Sequence, residues 1–171
     1  VFRPSTDGAN VLGVYLHMHG GSWLLGGSAW QNDIRLIRLA DQLRIAIVSV
    51  DYRLAPEHKW PACVDDCVAA AAWLVENAQI EFGTSRLVIG GESAGGHLCV
   101  SAMLRLRGAL GLAPTAPFPY QAANLVYGLY DMAGTPSMLN YQRPLVFTTP
   151  EFVQCTDVLL PSSVVDRRHP D

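Results

Sequence analysis

The chain has 171 residues, enough for one domain, with 50% hydrophobic and 16% charged residues, a composition that supports a sizeable core and excludes intrinsic disorder. A formal charge of −3 and a pI near 5.9 give no basis for nucleic-acid binding or attachment to an anionic membrane surface. The longest apolar run, CVAAAAWLV from Cys67 to Val75, falls well short of the roughly 18 residues a membrane span needs, so no span is expected.

VLGVYLHM, Val11 to Met18, is apolar on both faces, as a strand covered on both sides should be. HMHGGSW follows it directly, His17 to Trp23. Ser28 to Gln31 has capping-box spacing, and Leu36, Ala40 and Leu43 then recur at helical intervals. IAIVSV, Ile45 to Val50, is the second buried strand. Pro61 opens a second helix, with Asp65 and Asp66 near its positive end and an apolar stripe of Val64, Cys67, Val68, Ala71, Leu74, Val75 and Ala78. Cys63 and Cys67 lie four apart on it. With Cys99 and Cys155 they form neither a zinc pattern nor a disulfide framework, so packing thiols in a reducing cytoplasm are expected.

Arg86 to Gly90 reads as the third strand and Gly95 to Arg107 as a helix closing at Gly108. A fourth strand is expected near Ala123 to Leu129, and Thr149-Pro150-Glu151 starts a short helix. The alternation of strands and helices predicts an α/β fold with a mostly parallel sheet and helices on both faces.

Gly91-Glu92-Ser93-Ala94-Gly95 fits G-x-S-x-G at a strand-to-helix junction. A nucleophile there adopts strained backbone angles, and the flanking glycines remove Cβ atoms that would collide. The Ala94 N–H then faces the place where negative charge develops. The blander readings are a glycine-rich turn with a capping serine, or a phosphate cradle; the chain has no G-x-x-x-x-G-K-[ST] to support the latter. An acyl-transfer site needs further N–H donors, and the glycine-rich loop after the first strand is placed to supply them.

These pieces, with DYRLAPEHKWPA from Asp51 to Ala62, resemble the hormone-sensitive lipase family of α/β-hydrolase esterases. Its HGGG appears as His19-Gly20-Gly21-Ser22 before the aromatic Trp23. Its YRLAPE-x-x-F-P-A appears as Tyr52 to Ala62 with Trp60 for the phenylalanine, and its G-D-S-A-G-G as Gly91 to Gly96 with Glu92 for the aspartate. The resemblance implies a serine carboxylesterase of short- to medium-chain acyl esters, with Ser93 as nucleophile. It also implies the N–H groups of Gly21, Ser22 and Ala94 as oxyanion donors, supporting roles for His19, Gly20, Gly91 and Gly95, a small-molecule ester substrate, and no metal or cofactor. Serine in place of the third glycine keeps the N–H and stiffens the loop. Glu92 keeps the acid with an added methylene, so its contacts must differ; adjacent side chains point apart, which argues against a direct catalytic role.

The fold's chain order is Ser, then acid, then His. Downstream of Ser93 stand Asp131, Glu151, Asp157, Asp166 and Asp171, with His97 and His169. His97 lies on the helix just after the serine and reads as a packing or capping residue. His169 with Asp157 or Asp166 satisfies the order, yet no strand-like run separates Leu129 from the chain end, and the family places both groups after further strands. The expectation is therefore a partial α/β-hydrolase domain over 1–171, incomplete at both ends, with the triad acid and base and the N-terminal cap region outside it. The rival readings are a non-catalytic ligand receptor on the same fold, as the plant gibberellin receptors are similar in fold, and an inactive truncated product.

Overall fold

The computed structural model describes residues 1–5, 10–27, 33–136, 140 and 148–161. Four parallel strands, β1 (Val14–Met18), β2 (Ala46–Val50), β3 (Leu87–Glu92) and β4 (Tyr120–Val126), lie in the order β2-β1-β3-β4. The helices are α1 (Asp33–Leu43), α2 (Ala62–Phe82), α3 (Ala94–Ala109) and α4 (Thr149–Leu159). The α/β expectation holds, and the four strands alternate with helices along the chain as expected.

β1 is buried at every position because it is central and covered on both faces. Val14, Leu16 and Met18 join Leu87 and Ile89 against α2 and α3, while Tyr15 points the other way to Leu36, Ala40 and Ile47 under α1. This is the period-two alternation of a pleated strand. β2 lies on one side of β1 and β3 on the other, so the sheet has its topological switch point between β1 and β3. Ligand sites of open α/β sheets form beyond the strand C-termini at that point.

Several element bounds differ from those expected. β1 starts at Val14 rather than Val11. Only from Val14 does the chain pair on both sides, with Ala46 and Leu87. β4 runs three residues earlier than expected: the left-handed φ of 38° at Tyr127 turns the chain away after Val126. α3 begins at Ala94 and passes through Gly108 to Ala109. Leu43 is exposed, unlike Leu36 and Ala40; it is the last residue of α1, which ends at Arg44 with φ 52°. The capping box at Ser28 to Gln31 lies outside the described residues.

The second helix carries the expected buried stripe, with Cys63, Val64, Cys67, Ala71, Leu74 and Ala78 inside. Burial pushes the Cys63 and Cys99 thiols up to about 12 and raises Cys67 well above its ordinary value. These are packing thiols, as expected. Among the described residues no group of His, Cys, Asp and Glu side chains is placed to hold a metal, and no helix is long and apolar enough to cross a membrane.

Candidate active site

Ser93 sits between β3 and α3 with φ 56° and ψ −120°, a backbone conformation that costs a non-glycine residue about 1–3 kcal/mol. The flanking structure imposes it. The Ser93 N–H donates to the Val126 carbonyl at 2.9 Å, joining the turn to the end of β4. A Cβ on Gly91 would lie 2.3 Å from the Met18 oxygen and 2.8 Å from the Gly95 carbonyl carbon; one on Gly95 would lie 2.0 Å from the Met18 oxygen. Both glycines are therefore required by close approach, and the serine is raised at the N-terminal, positive end of α3.

The loop after β1 presses against this turn. A Cβ on Gly20 would stand 3.1 Å from the Glu92 oxygen and 3.3 Å from the Ser93 Cβ. Gly21 has φ 124°, and its carbonyl accepts the N–H groups of Leu24 and Leu25 at 3.0 and 2.9 Å. Only glycine fits there, since a Cβ would fall 2.0 Å from the Leu25 oxygen. Ser22 and Trp23 follow with φ 54° and 61°.

Serine at Ser22 thus occupies a left-handed position that glycine adopts without cost. Ser22→Gly should raise stability by roughly 0.5–1 kcal/mol in chemical denaturation, because the left-handed penalty of about 1–2 kcal/mol outweighs glycine's extra chain entropy. A loss of stability would show that the Ser22 side chain makes a compensating contact.

His19 anchors the loop from below. Its ring stacks on Tyr52 at 4.2 Å, its Nδ1–H donates to the Gly20 carbonyl at 2.7 Å, and the Tyr52 hydroxyl donates to the His19 carbonyl at 2.7 Å. Burial lowers its pKa, and its buried Nε2 has no partner among the described residues, both of which favour the neutral ring. The Tyr52 loop is fixed in turn by Arg53, whose guanidinium makes a bidentate pair with Asp66 at 2.8 and 2.9 Å.

Glu92 points to the α1 side of the sheet. Its Oε2 accepts from His17 Nε2 at 2.9 Å and lies 3.2 Å from an Arg35 nitrogen, while the Ser49 hydroxyl meets His17 Nδ1 at 3.1 Å. The longer side chain reaches across β1 to a histidine and an arginine, which accounts for His17. The paired histidines of HMH thus do separate jobs, His17 on the α1 side of β1 and His19 in the loop just beyond the strand.

Ser22, Trp23, Ser93 and Ala94 line a single cleft of about 100 Å³, closed by Leu129 and by Phe152 and Cys155 of α4. The candidate nucleophile and two of the three candidate donors converge there; Gly21 stands one residue behind the lining. The wall from α4 was not legible in the sequence, because nothing local ties Phe152 or Cys155 to a serine some sixty residues earlier. α4 itself was legible from Thr149-Pro150-Glu151; the structure adds that Thr148 caps it, in a reciprocal capping box with Glu151.

None of the described downstream acids lines the cleft. Asp131 accepts the Ala133 N–H at 2.9 Å, Glu151 caps α4, and Asp157 is exposed on α4. His97, the one described histidine after Ser93, is one turn along α3, where Trp23 Nε1–H donates to its Nδ1 at 3.2 Å. Asp166, His169 and Asp171 lie outside the described residues.

A strained serine at the switch point of a parallel sheet, facing a glycine-rich loop, defines the class. The chain matches the alpha/beta hydrolase fold family over residues 15–171 and belongs to it. Among its relatives, carboxylic ester hydrolase LipN of Mycobacterium tuberculosis is 44% identical over 99 residues, covering 57% of this chain and 26% of that protein. Mouse hormone-sensitive lipase is 32% identical over 132 residues, 77% of this chain and 17% of that one, in keeping with the resemblance read from the motifs. A hyperthermophilic esterase from the archaeon Pyrobaculum calidifontis superposes with a TM-score of 0.79 at 29% identity, over 94% of this chain and 52% of its own. The chain thus spans about half the length of that solved structure and about a quarter or less of those two relatives.

Proposed function

We propose that the protein carrying this chain is a serine carboxylesterase of short- to medium-chain acyl esters, acting through an acyl-enzyme on Ser93. The observation that carries this reading is the convergence of Ser93, Ser22 and Ala94 on one cleft. Ser93 Oγ gives its proton to the general base as it attacks the ester carbonyl carbon. The carbonyl oxygen becomes an oxyanion that accepts hydrogen bonds from the N–H groups of Gly21, Ser22 and Ala94. The alcohol leaves with a proton from the general base, and water then attacks the acyl carbon and releases the acid.

The base is not His97, whose Nδ1 is already occupied by Trp23. We place the triad acid and base outside residues 1–171, in a partial domain that also lacks the N-terminal cap region. Support comes from the roughly half-length match to the solved esterase. Three deeply buried free thiols, Cys63, Cys67 and Cys99, support a cytoplasmic location. The substrate is a small-molecule ester, and the chemistry calls on no metal or cofactor.

The short- to medium-chain preference is carried over from the resemblance of the three motifs to the hormone-sensitive lipase family. Assaying the full-length protein on p-nitrophenyl esters from acetate to palmitate should give the highest kcat/KM at short to medium chains. A clear optimum at palmitate would overturn the substrate assignment.

A further inference from the structure

The left-handed pair Ser22–Trp23 needs a device to hold it, since two consecutive non-glycine residues at positive φ cost about 1–2 kcal/mol each. The backbone supplies part of the restraint: the Trp23 carbonyl accepts the Ala55 N–H at 3.0 Å, and Gly21 closes the turn before it. The Trp23 side chain supplies the rest. Its indole is buried, with 2% of its surface exposed, and its only N–H points at His97. The two rings meet edge-on at 5.3 Å and 90°, with the Nε1–H to Nδ1 bond at 3.2 Å.

His97 is shaped for the accepting role. Trp60 packs against its ring at 5.6 Å, and Ser101 Oγ lies 3.4 Å from Nε2. With Nδ1 accepting, the neutral ring carries its proton on Nε2, which donates to Ser101. Indole is a donor only, so this bond exists only while Nδ1 is unprotonated. Burial lowers the His97 pKa to about 4, which keeps Nδ1 free near neutral pH. His97 is also bolted to the nucleophile turn, its own N–H donating to the Ser93 carbonyl at 3.2 Å.

We propose that His97 is a positioning residue: its Nδ1 accepts the Trp23 indole N–H and thereby locks the Ser22–Trp23 backbone of the oxyanion loop onto the helix that carries Ser93. The inference rests on the reading of Ser93 as nucleophile and Ser22 as oxyanion donor. One residue four after the serine then joins the two halves of the site, its imidazole bonded to Trp23 and its backbone N–H to the Ser93 carbonyl.

Packing and hydrogen bonding make opposite demands at this position, which gives the test. Leucine fills the space without an acceptor. Asparagine leaves space but puts Oδ1 on Cγ, where histidine has Nδ1. In the full-length enzyme, His97→Leu and Trp23→Phe should each lower kcat about 10-fold with KM within about twofold, since the loss falls on a transition-state contact. His97→Asn should stay within about threefold of wild type, and the double variant His97→Leu/Trp23→Phe should be no worse than either single one. A His97→Leu enzyme as active as His97→Asn or more so would reduce His97 to packing and overturn the proposal. Should His97→Leu fail to fold, wild-type kcat in Trp23→Phe would overturn it equally. Ser93→Ala run alongside separates the two levels. Hydrolysis that survives it removes the nucleophile reading and this inference together, whereas Ser93-dependent hydrolysis indifferent to His97 and Trp23 removes the inference alone.

Discussion

Ser93→Ala in the full-length protein should lower kcat by about six orders of magnitude, with the fold and substrate binding retained. The expectation follows from what the remaining groups do alone. Without an attacking oxygen no acyl-enzyme forms, and an oxyanion site with bound ester supplies only a residual ~10³–10⁴-fold effect over water. The substitution itself is structurally mild. The Ser93 N–H to Val126 bond and the φ of 56° belong to the backbone, and alanine carries the same Cβ. Steady-state rates on p-nitrophenyl acetate, with thermal unfolding as the check on folding, read the result. Undiminished turnover would remove Ser93 from the chemistry; an inactive wild type that still binds an ester-like ligand would point to the receptor reading.

How far the sequence alone reached depends on the range of the signal. The elbow was legible because its requirements are local: a β-branched run, glycines two residues to either side of a serine, and a helix after it. The parallel sheet was legible, because β1, β2 and β3 alternate with helices; the strand order and the register of Met18 on Gly91 were not, since the register is set by pairing across more than seventy residues. Glu92 illustrates the limit. Its departure from the family's aspartate was visible, but its partners His17 and Arg35 come from β1 and α1 and emerge only once the strands are placed side by side. The Trp23–His97 contact lay between these cases. The four-residue step from Ser93 to His97 put the ring one helical turn from the serine, while the position of Trp23 above it required the left-handed loop to be known.

The glycines of the elbow carry the second large expectation. Gly95→Ala should destabilise the protein by more than about 3 kcal/mol, enough to abolish accumulation of folded enzyme, because the new methyl would sit 2.0 Å from the Met18 oxygen and 2.6 Å from the His19 oxygen. Neither atom belongs to a flexible side chain that could swing aside. Both are backbone carbonyls at the end of the central strand, one on either side of the step from strand to oxyanion loop. Relief would require α3 to lift off β1, which would separate Ser93 from Ser22 and undo the cleft. Gly108 on the same helix is the control: a Cβ there meets nothing within 4 Å, and near the end of a helix alanine is preferred to glycine by up to about 1 kcal/mol. Gly108→Ala should therefore raise the denaturation midpoint slightly while Gly95→Ala lowers it severely. Equal, small effects at both positions would mean that α3 and β1 are not in the close contact that brings the serine and the loop together.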